Sequence, residues 1–541
     1  MRIFFQSKKL LFSVGALVVI YLISHLLRLT ELPIFADEAI YIRWAQLILD
    51  DAQRYLLFPL NDGKTPLFVW TMVPSLKLFV DQLVAGRVVS VLIGLIEMFV
   101  IGITTWKLTK QSLSVIWSML LTAILPFWFF YQRMALMDMM LTLWLSVAVL
   151  IVLHIASVLA HINKTETGSL PLQLLRVLRN KKIILLMLGL GGVLFLAIWT
   201  KLPAVLFLPS ILPVALIQKQ VSRRKTLMAL LVTLMATMIA GLLFLSTSSL
   251  PAFSQLFSRG GDFLYSFSDF IGGRWTVVFS NTGLLLYSAT LYLGPLILIT
   301  PVLSLFFRKY RKQQLLLLVA MIFFVAPMML LAKVLYPRYL LPMSVFFTLS
   351  SALFIAEIVE RLELQKLKNR AVLAIGLALY CANTLAYAAQ WDFQALFSVE
   401  QLPLVAVDRM QYLEEWSSGH GIVQAVSLLE EASKTRRIAV ATEGFFGTLP
   451  DAMLVYLHNQ DVDNLSVDGI GQPVHEIPQW FVNQAAGSDE QWLVVNSHRL
   501  FLNIPPEDLL GEYCRPNGAP CLQVWNITRY LKDSNRTPEQ S

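Results

Sequence analysis

The chain has 541 residues, of which 56% are hydrophobic and 14% are charged, and its mean hydropathy is +0.64. A soluble protein of this length could not bury so much apolar surface, so the composition indicates a polytopic membrane protein. The net charge of +8 comes from short basic clusters between apolar runs. Such clusters are typical of cytoplasmic loops, and they do not indicate nucleic-acid binding.

The first apolar run, 10–29, follows Arg2, Lys8 and Lys9. It is too long for the apolar part of a signal peptide, and no small-residue cleavage site follows it. We therefore predict a first transmembrane helix with a cytoplasmic N-terminus. Further apolar runs bring the total to about eleven transmembrane helices of bilayer length. They are 10–29, 83–105, 112–130, 139–159, 183–199, 202–217, 226–245, 282–307, 315–332, 339–359 and 371–389.

Lysine and arginine alternate along the chain in step with these crossings. The loops and loop ends at 107–110, 161–182, 219–225, 308–312 and 361–370 are basic, whereas the intervening turns carry one or two cations each. The positive-inside rule places the basic loops in the cytoplasm. The odd number of crossings then places the C-terminal residues outside, which predicts a multi-pass protein of the plasma membrane.

The composition becomes that of a soluble domain near Trp391, so we predict a membrane domain over 1–390 and an extracytoplasmic α/β domain over 391–541. Strands are predicted at 437–442, 492–496 and 521–527, and helices at 421–434 and 450–459. Cys514 and Cys521 lie in this domain, and an extracytoplasmic location favours a disulfide between them, the alternative being two free thiols. Its acidic residues are scattered, so we expect the domain to serve acceptor choice or stability.

The first predicted outer loop, 30–82, carries an acidic pair and a lysine. Asp37 and Glu38 begin an amphipathic segment, which we expect to lie in the membrane interface. The loop then reaches a turn-rich stretch, 61–66, that contains Lys64. Asp37 has a structural alternative, which is to cap a helix that begins at Glu38.

Charged residues concentrate in the predicted outer loops and turns. Short turns hold such groups near the helix ends, where they can converge on one cavity, although each one alone is as readily an interfacial charge that reaches water. The set is Asp37, Glu38, Lys64, Arg87, Arg133, Asp138, Lys201, Lys333 and Arg338.

This mixture of charges suits the transfer of a sugar from a polyprenyl phosphate. The leaving phosphate is weakly basic and needs cations rather than a proton donor, and lysine or arginine supplies them. The incoming hydroxyl needs one base, for which a single carboxylate suffices. A soluble glycosidase would instead need two carboxylates that flank the bond.

The motifs of residues 1–390 resemble those of the phospholipid carrier-dependent GT-C glycosyltransferases, the group of the protein O-mannosyltransferases and aminoarabinose (lipid A) transferases. Their order and topological positions agree with the family pattern. One departure is Thr65, because two prolines often follow the lysine in that family. The matching motifs are Asp37-Glu38, Lys64-Thr65-Pro66-Leu67, Ala85-Gly86-Arg87, the stretch 133–138, Thr200-Lys201-Leu202-Pro203 and the stretch 337–342.

The resemblance implies a GT-C-like fold and assigns roles to several residues. Asp37 would be the catalytic base, and Asp138 would shape the donor or acceptor site. Lys64, Lys201 and Arg338 would meet the lipid phosphate. We include Glu38 and Asp138 among the catalytic candidates, and Arg87, Arg133 and Tyr339 among the candidates for binding the donor phosphate.

The sequence therefore predicts an inverting glycosyltransferase that moves a sugar from a polyprenyl-phosphate donor to a hydroxyl acceptor on the outer face of the membrane. The alternative is a transporter or flippase for a lipid-linked or anionic solute, but such a protein places its charges near the bilayer midplane. Expected partners are the lipid-linked sugar, the bilayer and an acceptor hydroxyl of a protein, lipid or glycan. No metal motif such as CxxC or HExxH occurs, and the cofactor stays open, a divalent cation included.

Overall fold

The computed structural model describes residues 8–162, 169–217, 222–258, 260–273, 275–364, 367–460 and 463–534. The chain forms two compact units. The membrane unit consists of Met1–Leu27, Leu56–Phe68 and Ser90–Leu396. The second unit consists of Arg28–Tyr55, Val69–Val89 and Phe397–Ser541, so most of the first loop groups with C-terminal residues. The basic N-terminus at 1–7 and parts of the predicted basic loops, at 163–168, 218–221 and 365–366, lie outside the described residues.

Long apolar helices make up most of the membrane unit. Within the described part of the chain, nine helices are long and apolar enough to cross a membrane, or ten if the pair Ser112–Ile124 and Pro126–Gln132, bent by 54°, forms one span. The chain is thus a multi-pass membrane protein. The nine are Lys8–Leu26, Gln82–Thr109, Met137–Ala160, Lys181–Thr200, Arg223–Ser249, Trp275–Leu293, Arg311–Leu331, Met343–Leu364 and Asn369–Phe397.

Besides the bent pair in the predicted crossing 112–130, two predicted crossings differ from the structure. The run 202–217 is the shorter apolar segment Leu202–Val214, and the run 282–307 is divided between Trp275–Leu293 and Pro295–Leu303. Prolines explain both differences, because Pro203 begins a 3-10 turn over Leu202–Leu206 and Pro295 begins a new helix. Proline has no backbone N–H to donate to the preceding turn, so it starts helices and interrupts them.

Short elements connect the long helices of the membrane unit. Polar side chains within this unit pair with one another: the ring of His25 meets the amide of Gln132 at 2.8 Å, and the indole of Trp117 donates to Ser351 at 2.8 Å. Such pairing is what apolar surroundings demand of polar groups. The connecting elements are Phe58–Asp62, Leu170–Leu178, Phe207–Val214, Gln255–Ser258, Gly260–Phe263, Phe267–Ile271 and Pro337–Leu340.

The second unit contains one five-stranded sheet in the order β2-β1-β3-β5-β4. The strands β2, β1 and β3 are parallel, and β5 runs antiparallel to both β3 and β4. The sequence predicts β1, β3 and β5, but it misses β2 and β4, which lack a continuous buried run. The strands are β1 Ile438–Glu443, β2 Leu465–Gly471, β3 Glu490–Asn496, β4 Leu509–Cys514 and β5 Cys521–Asn526.

Helices pack around this sheet and extend its apolar core. The predicted helices at 421–434 and 450–459 are confirmed as Ile422–Ser433 and Asp451–Leu457. Two more helices, Gln479–Gln484 and Thr528–Ser534, contribute Phe481 and Leu531 to the core. The sheet and helices make this the α/β part of the predicted fold.

The first-loop helix, Ala36–Asp50, lies in the second unit beside the helix Asp451–Leu457. Its side chains are buried on several sides, Ile42 and Ala45 as well as Ile40 and Trp44. Buried Gln46 donates to the carbonyl oxygen of Val455 at 3.0 Å. Protein therefore covers the apolar face of this helix, which we expected to lie in the membrane interface. The sequence does not distinguish the two cases, because the amphipathic pattern is the same whether the apolar face packs against protein or against lipid.

Candidate active site

The two acidic residues of the first loop have different surroundings. The first-loop helix begins at Ala36 after the N-cap Phe35, so Asp37 is its second residue and does not occupy the cap position. The carboxylate of Glu38 accepts a hydrogen bond from the backbone N–H of Phe35 at 3.0 Å. Asp37 is partly exposed, whereas Glu38 is 0% exposed. The capping function thus falls to Glu38, and Asp37 remains accessible.

Glu38 forms a buried ion pair with Arg87. The guanidinium of Arg87 donates from Nε to Oε1 of Glu38 at 2.9 Å and from Nη2 to Oε2 at 2.7 Å. The same guanidinium reaches the carbonyl oxygens of Leu29, Leu32 and Pro33 at 2.7–3.1 Å. An arginine with so many fixed acceptors holds the chain that leads into the first-loop helix.

Asp138 and Lys201 form the second charged pair, in the membrane unit. Asp138 begins the helix Met137–Ala160, and the ammonium of Lys201, just after the helix Lys181–Thr200, donates to its Oδ1 at 2.7 Å. The ammonium also lies 4.5 Å from the ring centroid of Tyr339. Asp138 is 4% exposed and Lys201 19%, so the lysine is the more accessible member of the pair.

Arg338 lies near the same tyrosine. Its guanidinium carbon is 5.6 Å from the ring of Tyr339 and 5.0 Å from the ring of Tyr336. The 3-10 turn Pro337–Leu340, begun by a proline, presents both Arg338 and Tyr339. Asp138, Lys201, Tyr339 and Arg338 therefore form one cluster, which we call the cation cluster. The formal charge of the cluster is positive, because it contains one carboxylate and two cations.

Arg133 and Lys64 occupy different positions in the membrane unit. Nη1 of Arg133 lies 2.8–3.0 Å from the carbonyl oxygens of Ser24, His25 and Leu27, at the end of the helix Lys8–Leu26. A cation at that position satisfies the last carbonyl groups of a helix and complements its dipole. Lys64 is partly exposed and lies 3.6 Å from a carboxylate oxygen of Asp62.

Two residues near these groups carry chemistry that the sequence analysis misses. The buried hydroxyl of Thr65, next to Lys64, has no hydrogen-bond partner among the described residues. A buried polar group without a partner is unfavourable, so it points to a polar ligand or water. Tyr336 adds a second aromatic face to Arg338, and its proximity in the sequence Tyr-Pro-Arg-Tyr is the signal that could have revealed it.

Cysteine and acidic residues come together at the end of one hairpin. Among the described residues, Glu512, Cys514 and Cys521 are near enough to one another to hold a metal ion. The two sulfur atoms are joined in a disulfide, as the sequence predicts, so this group offers no thiolate.

Comparison with solved structures identifies proteins that share this fold. No protein-family model matches the sequence, and no curated protein is significantly similar to it. The structure is similar to that of ArnT from Cupriavidus metallidurans bound to undecaprenyl phosphate, with a TM-score of 0.54, 13% identity, and coverage of 96% of this chain and 98% of ArnT. It is also similar to the oligosaccharyltransferase of Archaeoglobus fulgidus, with a TM-score of 0.53, 11% identity, and coverage of 91% and 70%. Over nearly its whole length, the chain therefore has the GT-C fold.

Proposed function

We propose that the chain is an inverting glycosyltransferase that uses a polyprenyl-phosphate sugar on the outer face of the plasma membrane. The observation that carries the proposal is the fold, shared across the chain with a protein whose structure contains undecaprenyl phosphate. A second similar structure, an archaeal oligosaccharyltransferase, contains dolichol phosphate and an inhibitory peptide, with a TM-score of 0.51 and 12% identity. Both neighbours bind a lipid phosphate and are transferases, and nothing observed favours the transporter alternative.

The cation cluster is our candidate for the donor-phosphate site. Lys201 and Arg338 can donate to phosphate oxygens, and the electrostatic attraction strengthens as the C1–O bond of the sugar breaks and charge develops on the phosphate. Both cations lie near the aromatic ring of Tyr339, and this contact limits their freedom. Lys64, with the hydroxyl of Thr65 beside it, is a further candidate from the same compact unit.

Asp37 is our candidate for the general base. The acceptor oxygen attacks C1 of the sugar, its proton passes to the Asp37 carboxylate, and the C1–O bond to the phosphate breaks. Polyprenyl phosphate leaves, and a single displacement inverts the configuration at C1. Asp37 is more accessible than Glu38, and it does not cap the helix, which supports this choice between the two acids.

Other predicted site residues have positions that favour supporting roles. Glu38 and Arg87 bind each other and the backbone before Asp37, so we assign them to holding the base. Asp138 orients Lys201 by a direct hydrogen bond. Arg133 binds the end of a helix, and we assign it to stability. A hexosyl or pentosyl donor and a protein, lipid or glycan acceptor are all consistent with this chemistry.

A transfer assay tests the proposal. The purified chain in nanodiscs is incubated with undecaprenyl phosphates carrying radiolabelled hexoses or pentoses, with a delipidated cell-envelope extract as the acceptor. Label should move to the extract, and undecaprenyl phosphate should be released. If no donor in the panel is consumed while cells lacking the protein accumulate a solute on one side of the membrane, the transporter alternative is correct. Mass spectrometry of glycans and glycolipids from such cells names the sugar.

Single substitutions in the cation cluster test the phosphate site. Lys201→Ala and Arg338→Ala should each weaken binding of undecaprenyl phosphate and also lower turnover, because each removes a charge that acts before and during departure. A charge-assisted hydrogen bond contributes about 1.5–3 kcal/mol, which corresponds to roughly 10- to 150-fold in affinity. Arg308→Ala, at an exposed cation of a predicted cytoplasmic loop, is the matched control. Unchanged binding in both cluster variants would contradict the assignment.

A further inference from the structure

The backbone that leads into Asp37 pairs with a distant segment of the second unit. We call this segment, 415–419, the brace. The N–H of Ala36 donates to the carbonyl oxygen of Ser417 at 3.0 Å, and the N–H of Gly419 donates to that of Ile34 at 2.8 Å. Phe35 and Ser418 thus form an antiparallel bridge. The bridge ends one residue before Asp37, so the brace determines where the first-loop helix begins.

The contact between the brace and the first loop is close enough to require glycine. A Cβ atom on Gly419 would lie 2.4 Å from Cγ2 and 2.5 Å from the carbonyl oxygen of Ile34. Cβ atoms do not approach backbone oxygen at such distances, so any larger residue would separate the two segments. Chain segments this close transmit a displacement of one to the other.

Arg515 holds the brace in place. Its Nη2 donates to the carbonyl oxygen of Ser418 at 3.1 Å, and its Nη1 donates to that of Pro520 at 2.6 Å. The side chain is buried, with 4% of its surface exposed. A buried guanidinium that spans two carbonyl groups fixes the distance between them.

A disulfide closes the loop that carries Arg515. Cys514 ends β4, Cys521 begins β5, and the two residues face each other in the register of the hairpin. The disulfide restricts the conformations of the loop between them, and it thereby restricts the direction in which the side chain of Arg515 projects. Closure of the loop contributes to the position of the guanidinium, which would otherwise move with the tip of the hairpin.

Further contacts hold the brace from the carboxyl ends of the parallel strands. The hydroxyl of Thr448 donates to the carbonyl oxygen of Trp416 at 2.5 Å, in the loop that follows β1. The guanidinium of Arg499, just after β3, lies 4.7 Å from the ring of Trp416. The residues that follow β1 and β3 thus support the brace through two contacts with Trp416.

We propose that Arg515, presented by the Cys514–Cys521 loop, is a positioning residue for Asp37. It acts through the carbonyl group of Ser418, the brace and the backbone bridge at Phe35. The proposal rests on the proposed function, in which Asp37 is the base. It gives the C-terminal part of the chain a role in the chemical step, beyond the acceptor choice or stability that its composition suggests.

A positioning role predicts a particular kinetic change. A displacement of about 1 Å at a reacting group lowers turnover by about 10²-fold. The candidate phosphate-binding cations belong to the other compact unit, so we expect carrier binding to be independent of the brace. We therefore expect loss of the Arg515 contacts to lower kcat without raising the KM for the donor.

The test compares Arg515→Met with Arg515→Lys in the transfer assay. Met fills the space and removes both hydrogen bonds, so kcat should fall by about 10²-fold. Lys keeps a charge and one of the two contacts, and it should restore part of the rate. The matched control is Arg529→Met, at an exposed arginine of the same unit whose partner is Glu507. Thermal unfolding of all three variants is measured alongside.

A double substitution separates positioning from general damage. If Arg515 acts through Asp37, adding Arg515→Met to Asp37→Asn should leave the residual rate unchanged, because the base it positions is already absent. Two results would overturn the proposal. One is a further fall of about 10²-fold in the rate of the double variant, and the other is a wild-type kcat in folded Arg515→Met. If Arg515→Met does not fold, Arg515→Lys replaces it in the same comparison.

The disulfide supplies an independent measurement on the wild-type chain. Reduction of Cys514–Cys521 should lower kcat and leave carrier binding unchanged, while reduction of Arg515→Met should have little further effect. Equal losses in both proteins would overturn the proposed path. Failure of the proposed function looks different, since the wild-type chain itself would then show no transfer. A wrong choice of base would appear as turnover that Asp37→Asn retains whatever happens at Arg515.

Discussion

At the scale of single residues, Asp37 and Glu38 are adjacent in the chain and have opposite surroundings. Glu38 is completely buried, and both its oxygens bind Arg87. Asp37 is partly exposed at the second position of the helix. Because the hydrogen bonds from Arg87 occupy both oxygens of this buried carboxylate, Glu38 offers no open approach to a substrate hydroxyl. The geometry therefore favours Asp37 as the base.

Asp37→Asn should reduce transfer to a small residual rate and leave folding intact. Asn has nearly the same shape but cannot accept a proton, and general-base catalysis contributes about 10²–10⁴-fold in rate. Binding of undecaprenyl phosphate should persist. Turnover and carrier binding of the purified variant, measured together, check this. Near-normal turnover would redirect the search for the base to Glu38 and Asp138.

Glu38→Gln should mainly lower stability. It leaves the buried guanidinium of Arg87 without its counter-ion, and breaking a buried ion pair costs about 3–5 kcal/mol. The matched control is Glu31→Gln in the more exposed pair with Arg28, for which a loss below about 1 kcal/mol is expected. Denaturant unfolding of the two variants gives the comparison. A stable but inactive Glu38→Gln protein would instead indicate a catalytic carboxylate.

His420, which follows the brace, should make stability depend on pH. Burial and the charge of Arg515 lower the pKa of His420 below its ordinary value of 6.5. The unfolded chain therefore binds a proton at His420 more readily than the folded chain does. The free energy of unfolding is therefore highest above pH 6.5, with respect to this group, and falls as the pH decreases. Burial lowers the pKa of His498 as well, which adds an effect of the same sign. The unfolding midpoint of His420→Gln should fall less on acidification than that of the wild type, and equal slopes would contradict this.

At the scale of elements, the first-loop helix depends on the helix Asp451–Leu457, far away in the sequence. Gln46 is 0% exposed and donates to the carbonyl oxygen of Val455. Where the contact between these two helices is exposed, Nε2 of His458 lies 3.0 Å from a carboxylate oxygen of Asp50. The helix thus derives its position from contacts that its local sequence does not contain.

Gln46→Leu should loosen this contact. The substitution leaves the carbonyl group of Val455 buried without its donor, at a cost of about 1–3 kcal/mol. Limited trypsin digestion should then cleave faster at Arg43 and Arg54, which lie in or just after the first-loop helix. Gln53→Leu, at an exposed position, is the control and should digest at the wild-type rate. Equal protection of the two variants would show that the contact is dispensable.

At the scale of the whole molecule, the sides of the membrane follow from the distribution of basic residues. Reporter fusions after Lys182, Lys225, Lys312 and Arg370 should be cytoplasmic, and a fusion after Trp391 should be outside. A cytoplasmic C-terminus would contradict the predicted topology and the placement of the site.

The short segment Leu202–Val214 provides the most informative pair of fusions. The alternation of basic loops predicts that Lys201 and Lys225 lie on opposite sides, which requires this segment to cross. Fusions after these two residues measure that directly. The same side for both would show that the segment does not cross, and it would change the side assigned to every later helix.

Much of the fold could be predicted because membrane helices carry their own signal. A helix in lipid satisfies its backbone hydrogen bonds internally, so an apolar run of sufficient length indicates it with little tertiary context. The prolines at 203 and 295 limit this inference, since they divide apolar runs that read as continuous. Strands β2 and β4 escaped prediction because hydrogen bonds to a neighbouring strand define them, and their own residues are too polar or too mixed.

The features of the candidate site also divide into those that the sequence predicts and those that only the tertiary structure shows. The sequence by itself determined which charged residues belong near helix ends, because charges are unfavourable within apolar runs, and it determined the motifs that resemble the carrier-dependent enzymes. Only the tertiary structure decided the pairing of these charges: Glu38 with Arg87, Asp138 with Lys201, and Arg133 with the end of a helix. It also brought Arg515 to the brace from the far end of the chain. Such pairs depend on distances between residues remote in sequence, and those distances exist only once the apolar core has formed.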